Sequence, residues 1–279
     1  MLRAHPFEKT EMERTHEVLP GDGIAWAQVG CKQLGASRGA GRVAVVTGAG
    51  SGVGRAIAIA LAREGLELCL LGRDSTKLAA TAAVARPFSS VTEFQLDLTV
   101  EEALHPLSQH LEEGPGRLDV LIHCAGVIQQ GPMERASIAD LDFQYATNVR
   151  APYAATQRLL PLLVAARGQI VFINSSVGLT ARRPDIGQYA ATKHALKAIA
   201  DSLREEVNPK GVRVLSVYLG RTATPMQEAI CRQEGRPYHP EALLQPEDVA
   251  SVVLHALMLP PTAEVTDISI RPMAKSKGN

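Results

Sequence analysis

From residue 42 onward, short β-rich runs alternate with longer stretches in which apolar residues recur at helical spacing. The strand candidates are residues 43–46, 66–71, 91–96, 118–122, 169–173, 212–217 and 266–270. Several of these are apolar almost without a break, the pattern of a strand buried on both faces. Helical patterns fill the gaps at 52–63, 77–85, 138–166, 189–207 and 247–259. Such alternation requires crossover connections. The expected architecture is therefore a single α/β domain, a doubly wound, seven-stranded parallel sheet flanked by helices on both faces. In 189–207 the apolar set Ala190, Ala191, Ala195, Leu196, Ala198, Ile199, Ala200 and Leu203 covers most of the helix circumference. That predicts burial on two sides, by the sheet and by another subunit.

Residues 1–40 carry no clear period, contain Pro6 and Pro20 and run out through Gly35, Gly39 and Gly41. They are expected to be a flexible extension, with a short helix at 23–29 as the alternative, and residues 41–279 to be the folded domain. Lys plus Arg and Asp plus Glu number 29 each, with no long basic stretch, so a nucleic-acid partner is not expected. Cys31, Cys69, Cys124 and Cys231 lie far apart and form no C-x-x-C or zinc spacing, so neither a disulfide framework nor a metal is expected. No apolar run fits a signal peptide or a membrane span, which predicts a cytoplasmic protein with no membrane partner.

Candidate chemistry begins where residues 43–47 run into Gly48-Ala49-Gly50-Ser51-Gly52-Val53-Gly54 and then into a helix. Strand, glycine turn and helix in that order make a dinucleotide-binding unit: glycines let the backbone approach a ligand, and the helix N-terminus offers free N–H groups to a pyrophosphate. Thr47, Gly48, Ser51, Gly52, Val53 and Gly54 are the expected contacts. After the second strand come Gly72, Arg73 and Asp74. A guanidinium at Arg73 suits a ribose 2′-phosphate, which favours NADP(H) over NAD(H); Arg73 as a plain surface charge is the alternative. Asp74 stands near the spacing of a ribose-binding acid but is read as a helix N-cap. Asp97 and Leu98, ending the third strand, are placed at the adenine side, with capping of the next helix as the alternative for Asp97.

Tyr189 and Lys193 stand four residues apart, so on a helix they share a face. A nearby cation pulls a phenol's pKa down from about 10, making Tyr189 an acid–base group. Upstream are Ser175-Ser176 and Asn148. In order and spacing, Thr47, Gly48, Gly52 and Gly54, then Asn148, Ser176, Tyr189 and Lys193, resemble the short-chain dehydrogenase/reductase family over about residues 42–273. The resemblance implies a Rossmann-like fold and hydride transfer between a nicotinamide cofactor and a carbonyl or alcohol. It also implies catalytic roles: Tyr189 as proton donor, Ser176 polarising the carbonyl, Lys193 lowering the Tyr189 pKa and gripping the ribose, and Asn148 anchoring a water beside Lys193. Ser175 rivals Ser176, and the family's spacing to the tyrosine selects Ser176.

The resemblance further places Ala125 and Gly126, and then Gly220, Thr222 and Thr224, against the cofactor. Two departures stand out: His123-Cys124 where the family has two asparagines, and Leu219 where it has proline before Gly220. Both His123 and Cys124 are read as structural. Residues 225–244 are expected to form a small lid, and Arg182 and Arg183 to face solvent, with contact to an acidic substrate as the alternative. The expected partners are a small-molecule carbonyl or alcohol and further copies of this chain, as a homodimer or homotetramer. The competing reading, motivated by the altered segment at His123 and by the N-terminal extension, is a non-catalytic dinucleotide sensor or scaffold.

Overall fold

The computed structural model describes residues 39–273. The expectations for residues 1–38, including Cys31, lie outside the described residues. Seven strands, β1 (Val43–Thr47), β2 (Glu67–Gly72), β3 (Val91–Gln95), β4 (Val120–His123), β5 (Gln169–Ser175), β6 (Arg213–Leu219) and β7 (Asp267–Ile270), form one sheet in the order β3-β2-β1-β4-β5-β6-β7. Every pairing is parallel. Strand order reverses between β1 and β4, and in sheets of this kind ligands bind in the crevice beyond that point.

Eight helices complete the described chain: α1 (Gly52–Arg63), α2 (Ser75–Ala85), α3 (His105–Glu113), α4 (Ile138–Tyr145), α5 (Ala151–Ala166), α6 (Gly187–Val207), α7 (Pro225–Gln233) and α8 (Pro246–Leu257). Successive strand side chains point to opposite faces, so the buried residues divide between two cores. Ala44 and Val46 of β1 join Ile57 and Leu61 of α1 and Val253 of α8, whereas Val43 and Val45 join Leu107 of α3, Leu159 of α5 and Leu196 of α6. Continuous apolarity in β1 is thus the sum of two half-patterns.

The strands fall at the expected places, with ends shifted by a residue or two. The helices differ more. The segment expected as one helix over 138–166 is two, joined by a π-helical turn at Ala146–Arg150. The turn carries Asn148, whose side chain is drawn to the loop after β4: Oδ1 accepts from Val127 N at 2.8 Å and Nδ2 donates to Val127 O at 2.9 Å. A tertiary pull of this kind is invisible to helical periodicity. Along α6 the buried set is Ala190, Thr192, Lys193, Leu196, Ala200, Arg204 and Val207, while Ala191 and Ala198 are exposed. The chain alone therefore covers one stripe of α6.

His123, at the end of β4, is buried, stacks on Phe172 at 4.9 Å and is 2.8 Å from Thr156 Oγ1 through Nε2. Thr156 donates its own proton to Pro152 O, so Nε2 carries the hydrogen it shares with Thr156. Burial pushes the His123 pKa down to about 3, which keeps the ring neutral. The structural role expected of His123 is a brace from β4 to α5.

Candidate active site

Beyond the carboxyl ends of the strands lies a cleft of about 530 Å³. Its nucleotide-facing part is made of backbone. Gly48 and Gly52 have φ of +68° and +52°, a region L-residues seldom occupy. A Cβ on Gly48 would meet Ala125 Cα at 2.9 Å, and one on Gly54 would run into the Gly48 carbonyl. The turn is therefore folded against both α1 and the loop after β4. Ser51 caps α1 by position but makes no side-chain cap, and no acidic residue stands in the first turn. The N–H groups there remain available to an anion.

Thr47 is the exception among the expected contacts. Its buried hydroxyl donates to Ile122 O at 3.2 Å and accepts from Cys124 N and Ala125 N at 3.0 and 3.1 Å, and it does not line the cleft. Thr47 ties β1 to β4 at the switch point. Gly48, Ser51, Gly52, Val53, Gly54, Arg73, Asp97, Leu98, Ala125, Gly126, Gly220, Thr222 and Thr224 all line the cleft.

At the β2 end, Asp74 Oδ1 accepts from Lys77 N at 3.1 Å, so Asp74 is the N-cap of α2. Arg73 and Lys77 are exposed on the same wall. Asp97 Oδ1 accepts from Thr99 N and Thr99 Oγ1 at 2.9 and 2.8 Å. Those bonds, with Arg73 nearby, hold its carboxyl below the usual range.

The chemical part is made of side chains. Ser175 and Ser176 both line the cleft with Tyr189 and Lys193. Ser175 is the last residue of β5, while Ser176 is exposed on the following 3₁₀ turn. Asn174, unremarked in the sequence, sets this register: Oδ1 accepts from Ser175 N at 2.8 Å and Nδ2 donates to Lys193 O at 3.1 Å, locking the end of β5 to α6.

Burial pushes the Tyr189 pKa up to about 12, the direction opposite to the expected depression. Lys193 Nζ lies 5.8 Å from the ring centroid and donates to Ile173 O at 3.3 Å. Burial lowers the Lys193 pKa to about 8. Asn148 is buried outside the cleft, and its Nδ2 also donates to Thr192 Oγ1 at 3.1 Å, so its amide is fully engaged. Cys124 lines the cleft with its thiol pushed up to about 12 by burial, unsuited to nucleophilic work at neutral pH. Among the described residues, no cluster of His, Cys, Asp or Glu could hold a metal, and no helix is long and apolar enough to cross a membrane.

The short chain dehydrogenase family model matches residues 42–235. An uncharacterised oxidoreductase of Staphylococcus aureus strain USA300 is 32% identical over 237 residues, covering 83% of this chain and 97% of the relative. A glycine betaine reductase of Emericella nidulans is also 32% identical, over 83% of this chain but only 19% of its own length. Among solved structures, an alcohol dehydrogenase of Thermococcus sibiricus complexed with 5-hydroxy-NADP superposes with a TM-score of 0.75 at 26% identity, over 85% of this chain and 99% of that one. A metagenomic short-chain oxidoreductase in complex with NADP gives 0.72 at 30% identity, with the same coverage.

Proposed function

Since the chain belongs to the short-chain dehydrogenase/reductase family, we propose that it reversibly interconverts a small carbonyl compound and a secondary alcohol, with NADP(H) favoured over NAD(H). The observation that carries this is the meeting of Tyr189, Ser176 and Lys193 in one cleft with the glycine turn and the open N-terminus of α1. The residues fit a dinucleotide: no side chain could replace Gly48 or Gly54, and the α1 N–H groups are unspent.

The nicotinamide, when bound, supplies or takes the hydride. During reduction, negative charge grows on the carbonyl oxygen, and the chain must meet it with donors. Ser176, which lines the cleft with Tyr189, donates a hydrogen bond to that oxygen. Tyr189, protonated at neutral pH because of its raised pKa, gives up its proton to it. The Lys193 ammonium near the ring then offsets the charge left on the phenolate. Asn148 acts through position, holding the loop after β4 against α6.

Cofactor preference rests on Gly72, Arg73 and Lys77 at the end of β2, where Asp74 is committed to capping α2. The neighbours bound to NADP forms agree. Exposed Ile138, Phe143, Tyr145 and Tyr153 on α4 and α5 support a homodimer or homotetramer, and the scattered cysteines a cytoplasmic setting. The bond of His123 to Thr156 and its stacking on Phe172 give it a structural role, which supports the catalytic reading over a non-catalytic one. The test is a carbonyl and alcohol panel with NADPH and NADH: Tyr189→Phe should cut kcat about 10³-fold, the middle of the range for a general acid. Equal turnover by the variant would defeat the assignment.

A further inference from the structure

The lid side of the cleft carries an arginine without a partner. Glu234, at the C-terminal end of α7, accepts from Arg183 Nη2 through Oε1 at 3.0 Å and from Arg236 Nε through Oε2 at 2.8 Å, with Arg236 Nη2 also on Oε2. Both carboxylate oxygens are taken. This pairing joins the loop between β5 and α6 to the lid while Arg183 stays exposed, as expected.

Arg221 stands beside that group. It is half-buried in the loop after β6, and both it and Arg183 line the cleft that holds Tyr189 and Ser175. Its backbone is fixed: Leu244 N donates to Arg221 O at 3.1 Å, and Thr222 bridges to Leu244. Its guanidinium makes no hydrogen bond or ion pair among the described residues. Burial first, then the charges of Arg236 and Arg183, makes its cation harder to hold. Three guanidiniums thus lie near one carboxylate whose ion pairs are with Arg183 and Arg236. Such a cation is stabilised by an incoming anion, and a planar five-donor fork suits a carboxylate.

We infer that the substrate carries a carboxylate, received by Arg221 with Arg183 beside it while the reacting carbonyl faces Tyr189 and Ser176. The inference rests on the proposed oxidoreductase reading. It leaves the nucleotide's phosphates to the N-terminus of α1 and to Arg73 and Lys77.

The probes are 4-oxopentanoate and 4-carboxybenzaldehyde, each against its methyl ester, with NADPH and the full chain. The wild type should prefer acid to ester at least tenfold in kcat/KM. In Arg221→Gln that ratio should fall toward one through KM, with Arg221→Lys between the two, while NADPH affinity, titrated separately, stays within twofold. Equal use of acid and ester by the wild type, or a ratio unmoved in Arg221→Gln, overturns the inference. So does a tenfold loss of NADPH affinity, which would assign Arg221 to the nucleotide. A readout free of turnover separates the two readings: calorimetric binding of 4-(hydroxymethyl)benzoate and its methyl ester to NADPH-saturated protein. Acid-selective binding that Arg221→Gln abolishes, without turnover of any probe, sinks the oxidoreductase reading and keeps the anion site. Absence of acid-selective binding sinks the anion site.

Discussion

Around the turn after β1, the cleft is walled by backbone; around Tyr189, it is walled by side chains. In the first region the geometry follows from glycines whose Cβ atoms would strike the chain itself, and from a helix end left uncapped. In the second it follows from bonds between residues distant in sequence: Asn174 to Lys193, Asn148 to Thr192, Arg183 to Glu234. A backbone site is written as a local motif and survives changes in loop length. A side-chain site depends on where strands and helices end in space.

The sharpest way to break this comparison is a pair of serine variants. Ser176→Ala should lower kcat about 10²-fold, equivalent to ~2.7 kcal/mol, whereas Ser175→Ala should change it less than threefold. The reverse result would move the role to the strand end and remove assignment by spacing. Steady-state kinetics on one carbonyl substrate decides it.

Next comes His123, which braces β4, the strand between the two regions. Its pKa is about 6.5 unfolded and about 3 folded, so between those values the unfolded chain binds the extra proton. The stability contribution is complete above pH 6.5 and is lost as pH falls toward 3. From pH 7 to pH 5 the loss should be about 2 kcal/mol, a window above that of the carboxylates. His123→Asn should flatten that part of the profile, read by urea unfolding at each pH. An unchanged slope would show that another group is responsible.

The smallest effect is expected at the edge of the backbone region. Arg73→Asp should reduce the preference for NADPH over NADH by about tenfold, or ~1.4 kcal/mol, with kcat on saturating cofactor unaltered. Cofactor KM values measured in parallel check it. An unmoved ratio would leave Lys77 or the backbone as the source of any preference.

Much of this molecule was legible in one dimension. Buried parallel strands need apolar residues on both faces, so the seven runs announced the sheet, and the glycine turn announced a phosphate site because its constraint is local. Tyr189 and Lys193 declared a shared helix face because four residues make about one turn. Folding in space decided the rest. The break at Asn148 came from a loop pulling on its amide, and Thr47 became a brace because its hydroxyl meets β4 and the loop that follows it. The upward pKa of Tyr189 and the pairing of Arg183 and Arg236 with one carboxylate beside Arg221 depend on burial and on distances between residues far apart in the chain. Periodicity reports what a segment does with its own neighbours; desolvation and charge report what the whole fold brings beside it.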